Sequence, residues 1–104
     1  MTTLDFPLRK KNNQKISMIT CYDSTFAKLV SNSDIDCILI GDSCSMVMHV
    51  NSTTIPATTQ MIEFHTKAVS STCKNKFIVA DMPFLTTRQG KDFAYSQIKN
   101  VYLI

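Results

Sequence analysis

The sequence predicts an α/β fold, a parallel sheet whose strands alternate with helices. Two observations carry that prediction. The short runs "DCILIG" (36–41) and "KFIVAD" (Lys76–Asp81) are almost continuously apolar, as strands covered on both faces are. Between and after them, apolar residues recur at helical spacing instead. An earlier strand fits the same scheme. "KISMIT" (Lys15–Thr20) sets Ile16, Met18 and Thr20 on one face and Ser17 and Ile19 on the other.

Residues 1–14 read as a solvated tail or lead-in segment, because Arg9, Lys10, Lys11 and Lys15 cluster there. After the first strand, Asp23 or Ser24 can cap a short helix carrying Phe26, Ala27, Leu29 and Val30. "NSD" (Asn32–Asp34) ends it. The second strand leads into a longer polar loop that closes at Pro56. Thr58 or Thr59 then opens the clearest helix. Met61, His65, Ala68 and Val69 mark its apolar face, and Glu63 is expected in its first turn, where a helix dipole favours an anion. Met82-Pro83 stops the third strand. Phe93, Ala94, Ile98, Val101 and Tyr102 mark a third helix. Three βα units in succession imply parallel strands with right-handed crossovers. Such units build either an open doubly wound sheet or a (β/α)8 barrel. The barrel takes roughly 250 residues, so these 104 supply about three of its eight units.

Composition narrows the function classes. A chain of 104 residues, 44% hydrophobic and 18% charged, is long enough for one small globular domain. The net charge of +3 is mild and the basic cluster short, which argues against a nucleic-acid partner. No apolar run approaches the ~20 residues of a membrane span, and the first residues lack the apolar core of a secretory signal. Cys21, Cys37, Cys44 and Cys73 form no C-x-x-C pair and have no histidine at zinc-finger spacing. Cys37 sits in an apolar run, as a small core residue does. Reduced thiols and a cytoplasmic location are the expectation.

The polar residues collect where the strands end. The first strand ends in Thr20-Cys21-Tyr22-Asp23, the second in Gly41-Asp42-Ser43, the third in Asp81. Ligand sites of parallel α/β folds lie at those ends. If the strands are neighbours, Asp42 and Asp81 share one rim, where two carboxylates repel unless a cation lies between them. Mg²⁺ takes oxygen ligands, often one or two carboxylates, with substrate oxygens and water completing the shell. An aspartate after a strand is also an ordinary turn former or helix cap, and pattern alone leaves both explanations open. Asp23 is better explained as a cap. Ser43 could hold a substrate carboxylate or simply form the turn. Tyr22 could line the pocket or pack as an ordinary aromatic. His65, on an apolar helix face, is expected to be a satisfied core histidine. His49 has no identifiable partner, and Cys44 has no neighbouring base or cation to activate its thiol.

Five stretches in order, "ITCYDSTFAKL", "ILIGDSCSMVM", "STTIPAT", "EFHTKAV" and "FIVADMPF", closely resemble the N-terminal part of the ketopantoate hydroxymethyltransferase family over about residues 16–95. "GDS" alone is shared more widely, with the phosphoenolpyruvate mutase and isocitrate lyase superfamily. The resemblance implies a (β/α)8 barrel, of which residues 15–104 would form the first three βα units, so that 1–104 is an N-terminal fragment of one barrel domain. It implies a homo-oligomeric, Mg²⁺-dependent transferase. The reaction moves a hydroxymethyl group from the co-substrate 5,10-methylenetetrahydrofolate to 3-methyl-2-oxobutanoate, giving 2-dehydropantoate (ketopantoate) in pantothenate synthesis. It assigns metal binding to Asp42 and Asp81 and substrate binding to Asp42, Ser43 and Asp81. It places the general base beyond residue 104, so this chain alone is expected to be inactive. Two family glycines are replaced, by Ser45 and Val50. A β-branched residue is strained wherever such a glycine takes positive φ. The alternatives are a non-catalytic truncated remnant or interaction module, or a related Mg²⁺-dependent 2-oxo-acid enzyme of that wider superfamily.

Overall fold

The computed structural model describes residues 1–48, 52, 58–83 and 90–102. Among these the elements run α1 (Asp5–Lys11), β1 (Met18–Thr20), α2 (Ser24–Ser31), β2 (Cys37–Ile40), α3 (Cys44–Val47), α4 (Thr59–Thr72), β3 (Phe77–Ala80) and α5 (Lys91–Tyr102). The three strands form a parallel sheet in the order β1-β2-β3. The α/β class and the parallel pairing expected from the sequence are both present. His49, Val50 and Pro56 lie outside the described residues, as does the rest of the loop from 49 to 57 except Ser52.

Two helices start where side-chain caps dictate. The Asp23 carboxylate accepts from the Phe26 N–H at 2.8 Å, and the Thr58 hydroxyl accepts from the Met61 N–H at 3.1 Å. Each satisfies one of the orphan donors of a first turn. Because α4 begins at Thr59, its first turn holds no acidic residue; Glu63 falls one turn later than the sequence suggested. Its buried face is also rotated, to Ile62, His65, Thr66 and Val69, while Met61 and Ala68 are half-buried. Apolar periodicity fixes a stripe only to within a residue or so when Thr66 can share the buried side.

The core lies on one side of the sheet. Ile38 and Ile40 of β2 are fully buried with Ile62 and Val69 of α4, and Ile78 and Ala80 of β3 pack against them. Burying a side chain of this size stabilises the fold by about 1.5–3 kcal/mol. α4 is the hub, touching α2, α5, β2 and β3. The outer strands depart from the expected two-sided burial. β1 is exposed at all three positions and β3 is only half-buried along its length. Several apolar side chains of the helices also face out: Phe26 and Leu29 of α2, Phe93 and Ile98 of α5.

The solvated tail expected over residues 1–14 contains α1. Asp5 fixes its start by accepting from the Thr2 N–H at 2.6 Å, and Asn13 ends it at φ 54°, a left-handed conformation that asparagine tolerates. Phe6 meets Phe77 edge-on, 5.0 Å between centroids. Arg9 pairs with Asp36 at 2.8 Å, and Asp36 also accepts from the Ser17 N–H at 3.0 Å. The basic residue that suggested a loose tail is therefore part of a clamp at the N-terminal ends of the strands.

The Ser17 N–H, reinforced by Arg9, holds the Asp36 carboxyl below its ordinary range. A carboxylate held this way contributes stability fully above its unfolded value near pH ~4 and loses it as pH falls through the lower folded value. D36N is expected to melt below the parent chain at neutral pH, with the gap closing as the pH drops below that range; a gap constant from neutral to acid pH by thermal circular dichroism would contradict the clamp. Thr66 gives a second test. Its hydroxyl is buried and has no hydrogen-bond partner among the described residues. T66V, nearly isosteric, is expected to stabilise the chain by about 1 kcal/mol in urea denaturation, and a loss would show that the hydroxyl is satisfied.

Candidate functional site

Sheet register determines which polar residues meet. Ile40 is level with Ala80, and the ladder runs one step further, the Asp81 N–H donating to the Ile40 carbonyl at 2.9 Å. On the other side Thr20 is level with Leu39, and the Cys21 N–H donates to the Leu39 carbonyl at 3.2 Å. Three strand ends are thereby aligned at the C-terminal edge of the sheet. Tyr22 leaves from β1, Asp42 and Ser43 from β2, and Asp81 from β3.

Gly41 is the pivot of this edge. A Cβ at that position would lie 3.3 Å from Asp81 Oδ2 and 3.4 Å from Ser43 Oγ. Its bare Cα is what lets a carboxylate of β3 and a hydroxyl of the following turn converge over the end of β2. Close approach, not left-handed backbone, explains this glycine, since no positive φ accompanies it. The Cys44 N–H then donates to the Gly41 carbonyl at 3.1 Å, and the chain turns at once into α3. Asp42, Ser43 and Asp81 are all half-buried there.

The sequence showed a polar loop after β2; α3 was missed because a four-residue helix is too short for a periodic signal. Ser45 lies within α3, and the positive-φ non-glycine among the described residues is Asn13. The strain considered for a residue in place of glycine therefore does not arise at Ser45.

Tyr22 does two things at once. It is a packed aromatic, 8% exposed, and its phenol is hydrogen-bonded to the Ser43 hydroxyl. His65, buried as expected of a core histidine, bonds through Nδ1 to the Tyr22 carbonyl oxygen at 2.6 Å, with the two rings edge-on at 6.2 Å. The carbonyl can only accept, so Nδ1 carries the hydrogen. The link between Tyr22 and Ser43 could not be seen in the sequence, although both positions at strand ends pointed to the same edge.

Cys44 is fully buried, and its thiol is pushed up, first by burial and then by the charge of Asp42. It is thus a packing residue and a poor nucleophile. Burial likewise raises the thiols of Cys21 and Cys37. All four cysteines are free. Among the described residues no three His, Cys, Asp or Glu side chains gather to hold a metal ion. No helix among them is long and apolar enough to cross a membrane.

A family model, ketopantoate hydroxymethyltransferase, matches residues 1–102. The chain belongs to the ketopantoate hydroxymethyltransferase family. Among its relatives are 3-methyl-2-oxobutanoate hydroxymethyltransferases of Coxiella burnetii (strain Dugway 5J108-111), 53% identical over 89 residues, and of Bdellovibrio bacteriovorus, 52% identical over 89 residues. Each alignment covers 86% of this chain and 34% of the relative. That of Legionella pneumophila (strain Paris) is 41% identical over 97 residues, 93% of this chain and 37% of the relative. The chain thus spans about a third of the length of the curated relatives it matches.

G41A tests the crowding at the pivot of this family member's rim. An alanine Cβ fits only if Asp81 Oδ2 and Ser43 Oγ each yield a few tenths of an ångström, about the cost of mild overpacking. The variant is expected to fold, with NMR shift changes beyond the mutated position concentrated at Asp81 and Ser43. Changes spread evenly, or none at Asp81, would place the carboxylate elsewhere.

Proposed function

We propose that this chain forms the metal- and keto-acid-holding rim of a ketopantoate hydroxymethyltransferase, built on the first three βα units of a (β/α)8 barrel. The observation that carries the proposal is the convergence of the Asp81 carboxylate and the Ser43 hydroxyl over the bare Cα of Gly41, beside Asp42 on the neighbouring strand end. The donor chemistry fits Mg²⁺. The three side chains offer only oxygen, and two carboxylates with room for substrate oxygens and water match how this ion is usually bound. Asp42 and Asp81 would hold it. When bound, it would supply Lewis-acid polarisation of the keto acid's oxygens.

The chain's own residues bind and orient. Ser43 donates its hydroxyl hydrogen to the carboxylate of 3-methyl-2-oxobutanoate. Asp42 and Asp81 set the face of the rim on which the keto acid lies. The absence of a Cβ at Gly41 leaves both groups free to approach. Removal of the C3 proton, which must precede transfer of the one-carbon unit from 5,10-methylenetetrahydrofolate, requires a base that the family resemblance puts beyond residue 104. The chain by itself is therefore proposed to bind without turning over. Its four free thiols suit a reducing cytoplasm.

Exposed apolar side chains such as Phe64, 70% exposed, and Leu29, 64% exposed, favour a companion reading in which the chain works as part of a larger homo-oligomeric assembly.

Mn²⁺ serves as a spectroscopic substitute for the metal. The parent chain is expected to bind it by electron paramagnetic resonance, and D42N and D81N each to bind about tenfold more weakly or worse, a loss of about 1.4 kcal/mol. Equal binding by parent and both variants would overturn the rim assignment. Formation of 2-dehydropantoate by the purified chain alone would overturn the proposed inactivity.

A further inference from the structure

We propose that Tyr22 is a positioning residue that sets the direction of the Ser43 hydroxyl, and that His65 holds Tyr22 where it can do so. The inference rests on the reading of this rim as a keto-acid site and adds the groups that orient its one neutral hydrogen-bond donor.

Ser43 Oγ and Asp81 Oδ2 each lie within 3.4 Å of the point where a Cβ on Gly41 would stand. A serine hydroxyl free to rotate can commit its hydrogen to a neighbouring acceptor instead of to an incoming anion. A serine committed this way offers an incoming carboxylate only its lone pairs, which repel it. Tyr22 changes the balance. Its phenol is bonded to Ser43 Oγ, and a phenol is a far stronger acid than an aliphatic alcohol, so the phenol donates and Ser43 accepts. One lone-pair direction of Ser43 is thereby fixed. The remaining hydrogen is confined to a narrower arc, available to an anion bound at the rim. Bonds in such a chain also polarise one another, strengthening the terminal donor.

Tyr22 can direct Ser43 only if it does not move. Its ring is buried in the core cluster, but it follows a three-residue edge strand that is exposed at every position. His65 supplies the missing restraint. It reaches from the middle of α4, which the core anchors through Ile62 and Val69, and donates from Nδ1 to the Tyr22 carbonyl at 2.6 Å. A short loop end is thus pinned to the best-packed helix, and its phenol to the site. His65 acts through two intermediaries and touches no substrate; it is a positioning residue in the second degree.

The test is a double-mutant cycle on keto-acid binding, read by calorimetric titration of 3-methyl-2-oxobutanoate into the chain with Mg²⁺ present. Y22F keeps the packed ring and removes the phenol hydroxyl. It is expected to weaken acid binding about tenfold. S43A is expected to weaken it at least as much. The double variant should equal S43A alone, because Tyr22 then has nothing left to orient. A purely structural role for Tyr22 predicts additive losses instead. For His65, H65N, whose amide N–H can replace the Nδ1 donor, should bind the acid within about threefold of the parent, whereas H65L should follow Y22F. Mn²⁺ affinity without the acid should be unchanged in Y22F, H65N and H65L and separates the two readings. Loss of Mn²⁺ binding in the parent overturns the rim. Retained Mn²⁺ binding with additive losses, with unaltered acid affinity in Y22F, or with no acid binding in the parent overturns the role of Tyr22. Equal acid binding in H65L and H65N overturns the role of His65.

Discussion

Everything proposed for this chain depends on one constraint, the parallel register of β2 and β3. Ile40 opposite Ala80, extended by the Asp81 N–H to the Ile40 carbonyl, decides that Asp81 emerges level with Gly41. A slip of one residue would turn every side chain of β3 to the opposite face. Asp81 would then leave the position over Gly41. The burial of Ile38 and Ile40 against α4, with Ile78 and Ala80 beside them, resists that slip. The core thus works for the site at a distance, since the residues that fix the register are apolar and the residues that profit from it are not.

The two sides of the sheet are treated differently. α4 gathers α2, α5, β2 and β3 on one side, and its buried stripe is continuous from Ile62 to Val69. The outer strands β1 and β3 keep substantial exposure, and α1 is tied to the N-terminal end of β3 through Phe6 and to that of β2 through Arg9. A sheet whose outer edges are unpaired among the described residues, with outward-facing apolar helix residues, is an arrangement other polypeptide commonly covers. This agrees with a chain that spans about a third of its relatives' length, and it is why the assembly matters to the functional proposal as well as to stability.

How much of this could be read from the sequence depended on the range of the signal. Strands β2 and β3 were legible because "CILI" and "FIVA" are short apolar runs ended by polar residues. The caps of α2 and α4 were legible because Asp23 and Thr58 act three residues away. The strand-end aspartates stood out because each follows an apolar run. Missed features were those needing partners distant in the chain. α1 looked like a tail until Asp36 and Phe77 supplied its partners. The buried face of α4 was displaced towards Thr66, a polar residue that periodicity assigns to solvent. Tyr22 and Ser43 lie 21 positions apart, Tyr22 and His65 lie 43 apart, and no local rule joins them. The five motifs of the family resemblance supplied what physics alone left open, namely the family to which the chain belongs.

The rim also explains why Gly41, Asp42 and Ser43 are chemically inseparable. A Cβ at Gly41 would crowd both the Asp81 carboxylate and the Ser43 hydroxyl. Ser43 without the Tyr22 phenol would lose the hydrogen bond that fixes the direction of its hydroxyl. Each residue corrects a liability of its neighbour, and Tyr22 in turn depends on a histidine buried in the core helix. On the proposed reading, binding and orientation are concentrated in this stretch of the fold, while proton removal is a separate task. Under that proposal, affinity for a keto acid and capacity to turn it over would be two separable properties, and the rim described here would carry only the first.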